Sequence, residues 1–204
     1  MDSKLTIMEL EVLTAYLPNY SARLHVREIS RLIKRSHRSV SIALQSLEKK
    51  GVVRHEVAGR NKQYGLSFMN FLTREYVRNA EFFRTAIFME KHFIVKRMLS
   101  EILIKAGSTP FAIFGSYAKS EEREGSDIDI LVIKDGHEKR LVEGIRKFFS
   151  LHNKEVHIQQ ATQAKFEAGM RENDNLVVEI MRSHVILNHI EVFVEMFWRY
   201  YEGK

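Results

Sequence analysis

The sequence of 204 residues contains no cysteine and only two prolines. The absence of cysteine excludes disulfides, thiolate zinc sites and cysteine nucleophiles. The scarcity of proline and the lack of Gly/Ser/Pro-rich stretches argue against disordered tails and flexible linkers. No apolar run approaches the roughly 18 residues of a membrane-spanning helix. The first residues, MDSKLTIMELEVL, carry acids where a secretion signal would be basic and then apolar. We therefore expect a cytoplasmic protein without a membrane partner.

Positive charge is concentrated at one end of the chain. Residues 1–67 contain 12 Lys and Arg against 6 Asp and Glu, whereas the remaining residues contain 20 bases and 20 acids. The formal net charge of +6 therefore belongs to the first third of the chain. A neutral body with a basic head favours a polyanion as the partner of the head.

The basic head has the pattern of three short helices and a hairpin. Thr6 and Glu9 form a capping-box pair that opens the first helix. An apolar repeat predicts a second helix, Ser36 is suited to cap a third, and Gly51 is suited to end it. Two predicted strands, residues 52–57 and 62–67, complete the segment.

This order of elements resembles a winged helix-turn-helix domain. The outward face of the third predicted helix carries Arg38, Ser41 and Gln45, and the hairpin tip carries Arg60 and Lys62. The resemblance implies that the helix reads base edges in the major groove of DNA and that the hairpin tip reaches phosphates. Two alternatives are a solvated surface on a small helical domain and a module that contacts another protein.

Residues 68–106 contain no glycine and no proline, and apolar residues recur there at helical spacing. The length suits a coiled coil or a bent pair of helices. The apolar stripe predicts either core packing or a homodimer contact, and the two do not exclude each other. A DNA-binding head makes dimerisation more plausible.

The most informative segment is FGSYAKSEEREGSDIDILV, which follows the apolar strand FAIF. Gly115 and Ser116 lie where this strand is predicted to end and a helix to begin, an arrangement suited to phosphate binding. Asp127 and Asp129 come about ten residues later on a second predicted strand, where residues i and i+2 share one face. Two convergent carboxylates, completed by phosphate oxygens, predict a site for Mg²⁺.

The pattern G-S-x(10)-D-x-D after an apolar strand resembles the polymerase-β-like nucleotidyltransferase superfamily, and in particular the minimal nucleotidyltransferases of prokaryotes. The resemblance covers residues 107–204. It implies that Gly115 and Ser116 hold the phosphates of a nucleoside triphosphate, with ATP preferred, and that Asp127 and Asp129 bind Mg²⁺. The implied reaction is attack of a hydroxyl on the α-phosphorus with release of pyrophosphate.

Two positions depart from the family pattern. Family members commonly carry glycine where this chain has Ser120. They also place a third acid on a later strand, at the position that His157 occupies here. His157 can bind a metal or accept a proton, and Glu155 lies two residues earlier on the same predicted strand face.

The sequence thus predicts an α+β protein with a winged helix domain over 1–67, a helical connector over 68–106 and a nucleotidyltransferase domain over 107–204. The transferase domain is expected to contain a short mixed sheet with helices. Four helical stretches are expected after its third strand, the last from about Val185 to Tyr201.

Two functions fit this sequence. The first is a Mg²⁺-dependent nucleotidyltransferase that modifies a protein or a small hydroxyl acceptor; the resemblance adds a toxin as a possible protein partner. The second is a non-enzymatic transcription regulator whose degenerate transferase domain senses nucleotide. His157 favours the second, and the intact G-S and D-x-D pairs favour the first.

Overall fold

The computed structural model describes residues 4–59, 61–134, 136 and 138–203. Within these residues the chain divides into two compact units. Unit 1 comprises Met1–Phe83 with Phe197–Lys204, and unit 2 comprises Arg84–Met196. None of the helices in the described ranges is both long and apolar enough to cross a membrane. The predicted domain boundaries at residues 67 and 106 stay a prediction.

Unit 1 begins with three helices and a small antiparallel sheet. Their order is α1 (Ile7–Thr14), β1 (Leu24–His25), α2 (Val26–Leu32), α3 (His37–Lys49), β2 (Val53–Ala58) and β3 (Asn61–Leu66). The three strands lie in the order β1-β3-β2, and β2 and β3 form the predicted hairpin. The two strands of the hairpin lie within one residue of their predicted bounds, 52–57 and 62–67.

Local capping signals explain where the helices of unit 1 begin and end. The Thr6 side chain accepts a hydrogen bond from the Glu9 amide, and Glu9 accepts one from the Thr6 amide, which completes the predicted capping box. Ser36 accepts from the Ser39 amide at the start of α3. Gly51 follows α3 with a φ of +72°, a left-handed conformation that favours glycine.

A buried ion pair links the first helix of unit 1 to the end of α3. The Glu9 carboxylate, 1% exposed, accepts a hydrogen bond of 2.7 Å from Lys50 Nζ. Burial alone would raise the pKa of Glu9, but hydrogen bonds from Lys50, the Thr6 backbone and Ser46 outweigh burial and lower the pKa. The charged form of Glu9 is therefore the one that the fold stabilises.

The core of unit 1 is closed by aromatic residues from both ends of the chain. Tyr20, on the segment after α1, contacts the rings of Phe197, Trp198 and Tyr201 at centroid distances of 5.5–6.3 Å. Trp198 also lies 4.6 Å from the Phe68 ring. The apolar residues Phe197 and Trp198 near the end of the chain are thus buried in the core of unit 1.

Residues 68–106 form two helices, α4 (Phe71–Lys91) and α5 (Phe93–Ala106), with a break at His92. This arrangement corresponds to the predicted pair of helices and not to a single long one. Val77 and Met98 are buried, whereas Phe71 is 77% exposed, so the apolar stripe is only partly used as core. The homodimer contact stays a prediction.

Unit 2 is built around a four-stranded mixed sheet. The elements after α5 are β4 (Phe111–Phe114), α6 (Gly115–Lys119), β5 (Ile128–Lys134), α7 (Glu138–Leu151), β6 (Val156–Thr162), α8 (Gln163–Glu172), α9 (Asn175–Arg182), β7 (His184–Asn188) and α10 (Ile190–Glu202). The last of these, α10, begins in unit 2 and ends in unit 1. The strand order is β6-β5-β4-β7, with β5 and β6 parallel and the other pairs antiparallel. The expected mixed α+β architecture is confirmed.

One face of this sheet carries the main core of unit 2. Ile128, Ile130 and Val132 of β5 are fully buried in a cluster with apolar residues of α5 and α7. Because side chains alternate along a strand, Asp127, Asp129 and Leu131 point to the opposite face. The sequence therefore separates a packing face from a chemical face on the same strand.

One predicted element of unit 2 is wrong. The sequence pattern predicted four helical stretches after the third strand, with the last starting near Val185. Residues His184–Asn188 instead form the strand β7, which pairs with β4. Its residues are buried between neighbours, so the strand is apolar without alternation and resembles the start of an apolar helix.

The Glu9–Lys50 pair provides a test of the fold of unit 1. We expect Glu9→Gln to lower the free energy of unfolding by about 2–3 kcal/mol at neutral pH, because it leaves the Lys50 ammonium in a largely buried position without its charge partner. Since the pKa of Glu9 is lowered on folding, the contribution is present above its unfolded-state pKa and is lost as the pH falls through its folded-state pKa.

The matched control is Glu11→Gln on the same helix. Glu11 pairs bidentately with Arg35, whose side chain is 54% exposed. We therefore expect Glu11→Gln to lower the free energy of unfolding much less than Glu9→Gln does. Urea unfolding of the full chain at several pH values measures both variants. Equal losses for the two variants would contradict the importance of the buried pair.

Candidate active site

The register of three strands brings the predicted catalytic residues to one end of the sheet of unit 2. Phe114, the last residue of β4, pairs with Asp129 of β5, and Asp129 pairs with His157 of β6. Gly115 follows Phe114 directly, and Asp127 directly precedes β5. Backbone pairing therefore assembles residues that lie as far as 42 positions apart in the sequence.

Asp127 and Asp129 are half-buried on the chemical face of β5. Their side chains are 35% and 29% exposed. His157 Nδ1 lies 3.7 Å from Asp127 Oδ2 and 3.6 Å from Asp129 Oδ1. The structure thus places the histidine of the third-acid position directly beside both aspartates.

Glu155 joins the same group of side chains. Potential ligand atoms of Asp127, Glu155 and His157 all lie within 4.8 Å of one another. The backbone also ties Glu155 to this place, because the Ile128 amide donates a hydrogen bond of 3.1 Å to the Glu155 carbonyl. These three residues could hold a metal ion.

The electrostatics of the site favour a cation. Burial is the largest cause that raises the pKa of Asp129, and the carboxylates of Asp127 and Glu179 raise it further. The neighbouring His157 acts in the opposite direction but does not cancel these effects. Burial and the neighbouring carboxylates thus both disfavour the ionised form of Asp129, and a divalent cation bound here would offset both effects.

Glycine at position 115 is required by the approach of Asp129. Gly115 has a φ of +71°, and a Cβ atom placed there would collide with Asp129 Oδ2. The Asp129 carboxylate is therefore packed against the backbone at the start of α6. Ser116, half-buried, follows in the same turn, so the predicted phosphate-binding pair lies beside the predicted metal-binding pair.

The structure gives a physical meaning to the departure at Ser120. Ser120 ends α6 with a φ of +56°, and its amide bonds back to the carbonyls of Ser116 and Tyr117. This left-handed conformation favours glycine, which explains why a glycine is common at this place in the family that the sequence resembles. The serine preserves the turn with some backbone strain.

Sequence reasoning missed two interactions that border the site. Lys119 Nζ contacts Glu179 of α9 at 2.6 Å, an exposed pair that raises the pKa of the lysine. His92 Nδ1 lies 3.7 Å from Glu122 Oε1, so this pair links the start of α5 to the loop before Asp127. Burial lowers the pKa of His92. Sixty residues separate Lys119 from Glu179, and no local motif signals the pairing.

A cavity of about 340 Å³ lies on the chemical face of the sheet. Leu131 and Gln159 line it from β5 and β6, each two residues beyond Asp129 and His157 along its strand, while Phe166 and Ile180 line it from α8 and α9. Two residues of a strand span about 6.6 Å. The cavity is therefore close to the carboxylates and comparable in size to a small organic ligand.

Three of the predicted DNA-contacting residues of unit 1 share one groove. Ser41 and Gln45 of α3 and Lys62 of β3 line a common groove of about 540 Å³. Arg27 and Arg31 of α2 line it as well. Arg38 is exposed on α3, but it is not among the residues that line the groove, and Arg60 lies outside the described residues.

Comparison with known proteins supports a transferase. Residues 95–187, less than half of the chain, match the family model described as nucleotidyltransferase domain. The chain is also 46% identical over 57 residues to a Methanocaldococcus jannaschii protein named "Putative protein adenylyltransferase MJ0435". This alignment covers 28% of the chain and 60% of the relative. The two matches support a transferase, as the sequence predicts.

A solved structure resembles the chain weakly over nearly its whole length. Its title is "Structure of TrmBL2, an archaeal chromatin protein, shows a novel mode of DNA binding". The alignment covers 98% of this chain and 93% of that one, with 14% identity and a TM-score of 0.29. At this score the likeness supports no conclusion about fold or function.

The close approach at Gly115 gives a test of the site. We expect Gly115→Ala to lower the free energy of unfolding by about 1–3 kcal/mol more than Gly125→Ala. Both glycines have positive φ, so both variants carry a backbone cost of about 1–2 kcal/mol. Only the alanine at 115 also collides with Asp129, since a Cβ at 125 meets no atom of the described chain within 4 Å.

Chemical denaturation of the two full-length variants measures this difference. Amide chemical shifts around β5 then show whether Asp129 moves. Equal losses with unchanged shifts around Asp129 would contradict the contact.

Proposed function

We propose that unit 2 transfers a nucleotidyl group, in particular AMP from ATP, to a hydroxyl acceptor and that the reaction depends on a divalent cation. The single observation that supports this most is the convergence of Asp127, Asp129 and His157 beside the Gly115 turn. Carboxylate oxygens beside a glycine-containing turn are suited to a cation and the phosphates that it binds.

The residues present fit such a cation. Asp127 and Asp129 offer hard oxygen ligands on one face, and the pKa of Asp129 is raised mainly by burial and further by the carboxylates of Asp127 and Glu179. A bound divalent ion, expected from the sequence to be Mg²⁺, supplies positive charge for phosphate oxygens and lowers the pKa of a bound hydroxyl.

The chain's own groups then have distinct tasks. The Gly115 backbone and the Ser116 hydroxyl bind phosphate, and Lys119 can exchange its exposed contact with Glu179 for a phosphate oxygen. The acceptor oxygen forms a bond to the α-phosphorus while the bond from that phosphorus to the bridging oxygen breaks, and pyrophosphate leaves. The acceptor proton passes to solvent water, which reaches the site because the His157 side chain is 59% exposed.

The nucleoside has a suitable place in the cavity beyond Asp129. Its polar lining includes the amide of Gln159, and its apolar lining includes Leu131 and Phe166. This combination matches a purine, which has apolar faces and hydrogen-bonding edges. The name of the Methanocaldococcus jannaschii relative supports adenylate as the group transferred and a protein as the acceptor. A toxin remains a candidate acceptor only through the family resemblance.

Unit 1 is proposed to be a winged helix-turn-helix domain that binds DNA. Three helices followed by a three-stranded antiparallel sheet support this proposal, together with the charge excess of residues 1–67. Ser41, Gln45 and Lys62 face the same groove, and Arg38 is exposed on α3. The helix is thereby suited to base contacts and the hairpin to phosphates.

A second candidate function is a transcription regulator that binds nucleotide in unit 2 without transferring it. The specific observation in its favour is that a histidine, not an acid, stands beside Asp127 and Asp129. A neutral imidazole contributes less negative charge for Mg²⁺ than a carboxylate. The transfer assay below separates the two functions.

The first test of this function removes one carboxylate. We expect Asp127→Asn to reduce transfer of label from ATP by at least about 100-fold, because the cation loses a ligand worth several kcal/mol in the transition state. The control is Glu143→Gln, which removes an exposed carboxylate from α7 outside the site. Incubation of the full chain with radiolabelled ATP, a divalent cation and cell lysate measures transfer.

Two outcomes would count against the enzyme. One is equal transfer by the Asp127→Asn and unmodified chains. The other is the absence of transfer from ATP, CTP, GTP and UTP with either Mg²⁺ or Mn²⁺, which favours the sensor if nucleotide still binds calorimetrically.

The DNA proposal is tested on the full chain with duplexes selected from a random library. We expect Arg38→Ala to weaken binding to the selected sequence by about 1–3 kcal/mol and to relax its sequence preference. Lys62→Ala should weaken binding to all duplexes alike and reduce the slope of log affinity against log salt by about 1. Arg97→Ala in unit 2 is the charge-matched control. Salt-independent binding, or equal effects of all three variants, would refute the assignment.

A further inference from the structure

We infer that Asp127, Glu155 and His157 form a protein-held cation site that prefers a divalent transition ion, represented by Mn²⁺, over Mg²⁺. The inference rests on the proposed function, because it assigns the ion at the same site. It concerns the ion that the chain binds by itself. A Mg²⁺ ion that arrives with the phosphates of ATP is a separate ion, for which Asp127 and Asp129 are available.

The spacing of the three residues fits one ion. Their potential ligand atoms lie within 4.8 Å of one another, and His157 Nδ1 is 3.7 Å from Asp127 Oδ2. That distance is too long for a hydrogen bond. It agrees with the separation of about 3–4 Å between ligands of one six-coordinate ion. The gap among the side chains therefore has the size of a cation.

The donor set determines the preference. Mg²⁺ takes oxygen ligands and retains its waters strongly, so an imidazole nitrogen in place of a carboxylate weakens its binding. Mn²⁺ accepts both carboxylate oxygen and imidazole nitrogen, and transition ions bind mixed nitrogen and oxygen sites. Two carboxylates and one imidazole therefore discriminate against Mg²⁺ in a way that three carboxylates do not.

The ligands are positioned before an ion arrives. His157 is held opposite Asp129 by the parallel pairing of β5 and β6. Glu155 is held beside Asp127 by the hydrogen bond from the Ile128 amide. Only the side-chain rotamers remain to be set. Because the His157 side chain is 59% exposed, an ion can reach the site from solvent.

Direct metal binding to the full chain without nucleotide tests the inference. Loss of the free Mn²⁺ signal in electron paramagnetic resonance gives the Mn²⁺ affinity, and displacement of Mn²⁺ gives the Mg²⁺ affinity. We expect Mn²⁺ to bind at least about ten-fold more tightly than Mg²⁺ to the unmodified chain. His157→Ala should weaken Mn²⁺ binding by about ten-fold or more and change Mg²⁺ binding little.

Two further variants sharpen the result. His157→Asp should raise the affinity for Mg²⁺ and so reduce the preference for Mn²⁺ over Mg²⁺. The same change should raise nucleotidyl transfer supported by Mg²⁺. Glu155→Gln should lower the affinity for both Mn²⁺ and Mg²⁺, whereas the control Glu143→Gln should change neither affinity. His157 is largely exposed at a strand start, so its variants are expected to fold, and circular dichroism verifies this.

Equal affinities for the two ions, or unchanged Mn²⁺ affinity in His157→Ala, would overturn the inference. These results are distinguishable from failure of the proposed function, because metal binding is measured without nucleotide. A chain that binds Mn²⁺ selectively and transfers nothing contradicts only the proposed function. A chain that transfers AMP and binds the two ions equally contradicts only the inference.

Discussion

The contact between the Asp129 carboxylate and the Gly115 backbone is the constraint on which the site depends. It joins the end of β4 to β5, and β5 in turn fixes β6 through parallel pairing. A side chain at position 115 would occupy the place of a carboxylate oxygen. Gly115 therefore has two structural roles. It adopts the left-handed backbone conformation of the turn, and its lack of a side chain leaves room for the Asp129 carboxylate. The proposed binding of phosphate and of metal both follow from that single close approach.

Much of the local structure could be predicted because its causes are local. Thr6 and Glu9 are three residues apart, and their reciprocal bonds follow from that spacing. The spacing of Asp127 and Asp129 likewise places both acids on one face of a strand. The strand β7 could not be predicted in this way, because it is apolar on both faces. The contacts of Lys119 with Glu179 and of His92 with Glu122 depend on tertiary structure, and neither partner carries a local signal.

The site combines the residue pattern of the nucleotidyltransferases that the sequence resembles with a histidine where that resemblance implies an acid. Asp127, Asp129, Gly115 and Ser116 follow the nucleotidyltransferase pattern that the sequence resembles, and residues 95–187 match the corresponding family model. His157 stands where the resemblance implies an acid, and Glu155 lies close enough to add negative charge beside it. A histidine at position 157 is compatible either with loss of a metal ligand or with exchange of one type of metal ligand for another. The nearby carboxylate of Glu155 favours exchange.

The register of β6 has a consequence for how such a site changes over evolutionary time. Val156 and Ile158 pack against the core, whereas His157 and Gln159 point to the other face of the sheet. The packing of two apolar residues outside the proposed cation site therefore determines that residue 157 faces this site. Exchange of the residue at 157 therefore leaves the core packing of Val156 and Ile158 in place. Selection can revise the chemistry of this position one codon at a time while the scaffold stays as it is.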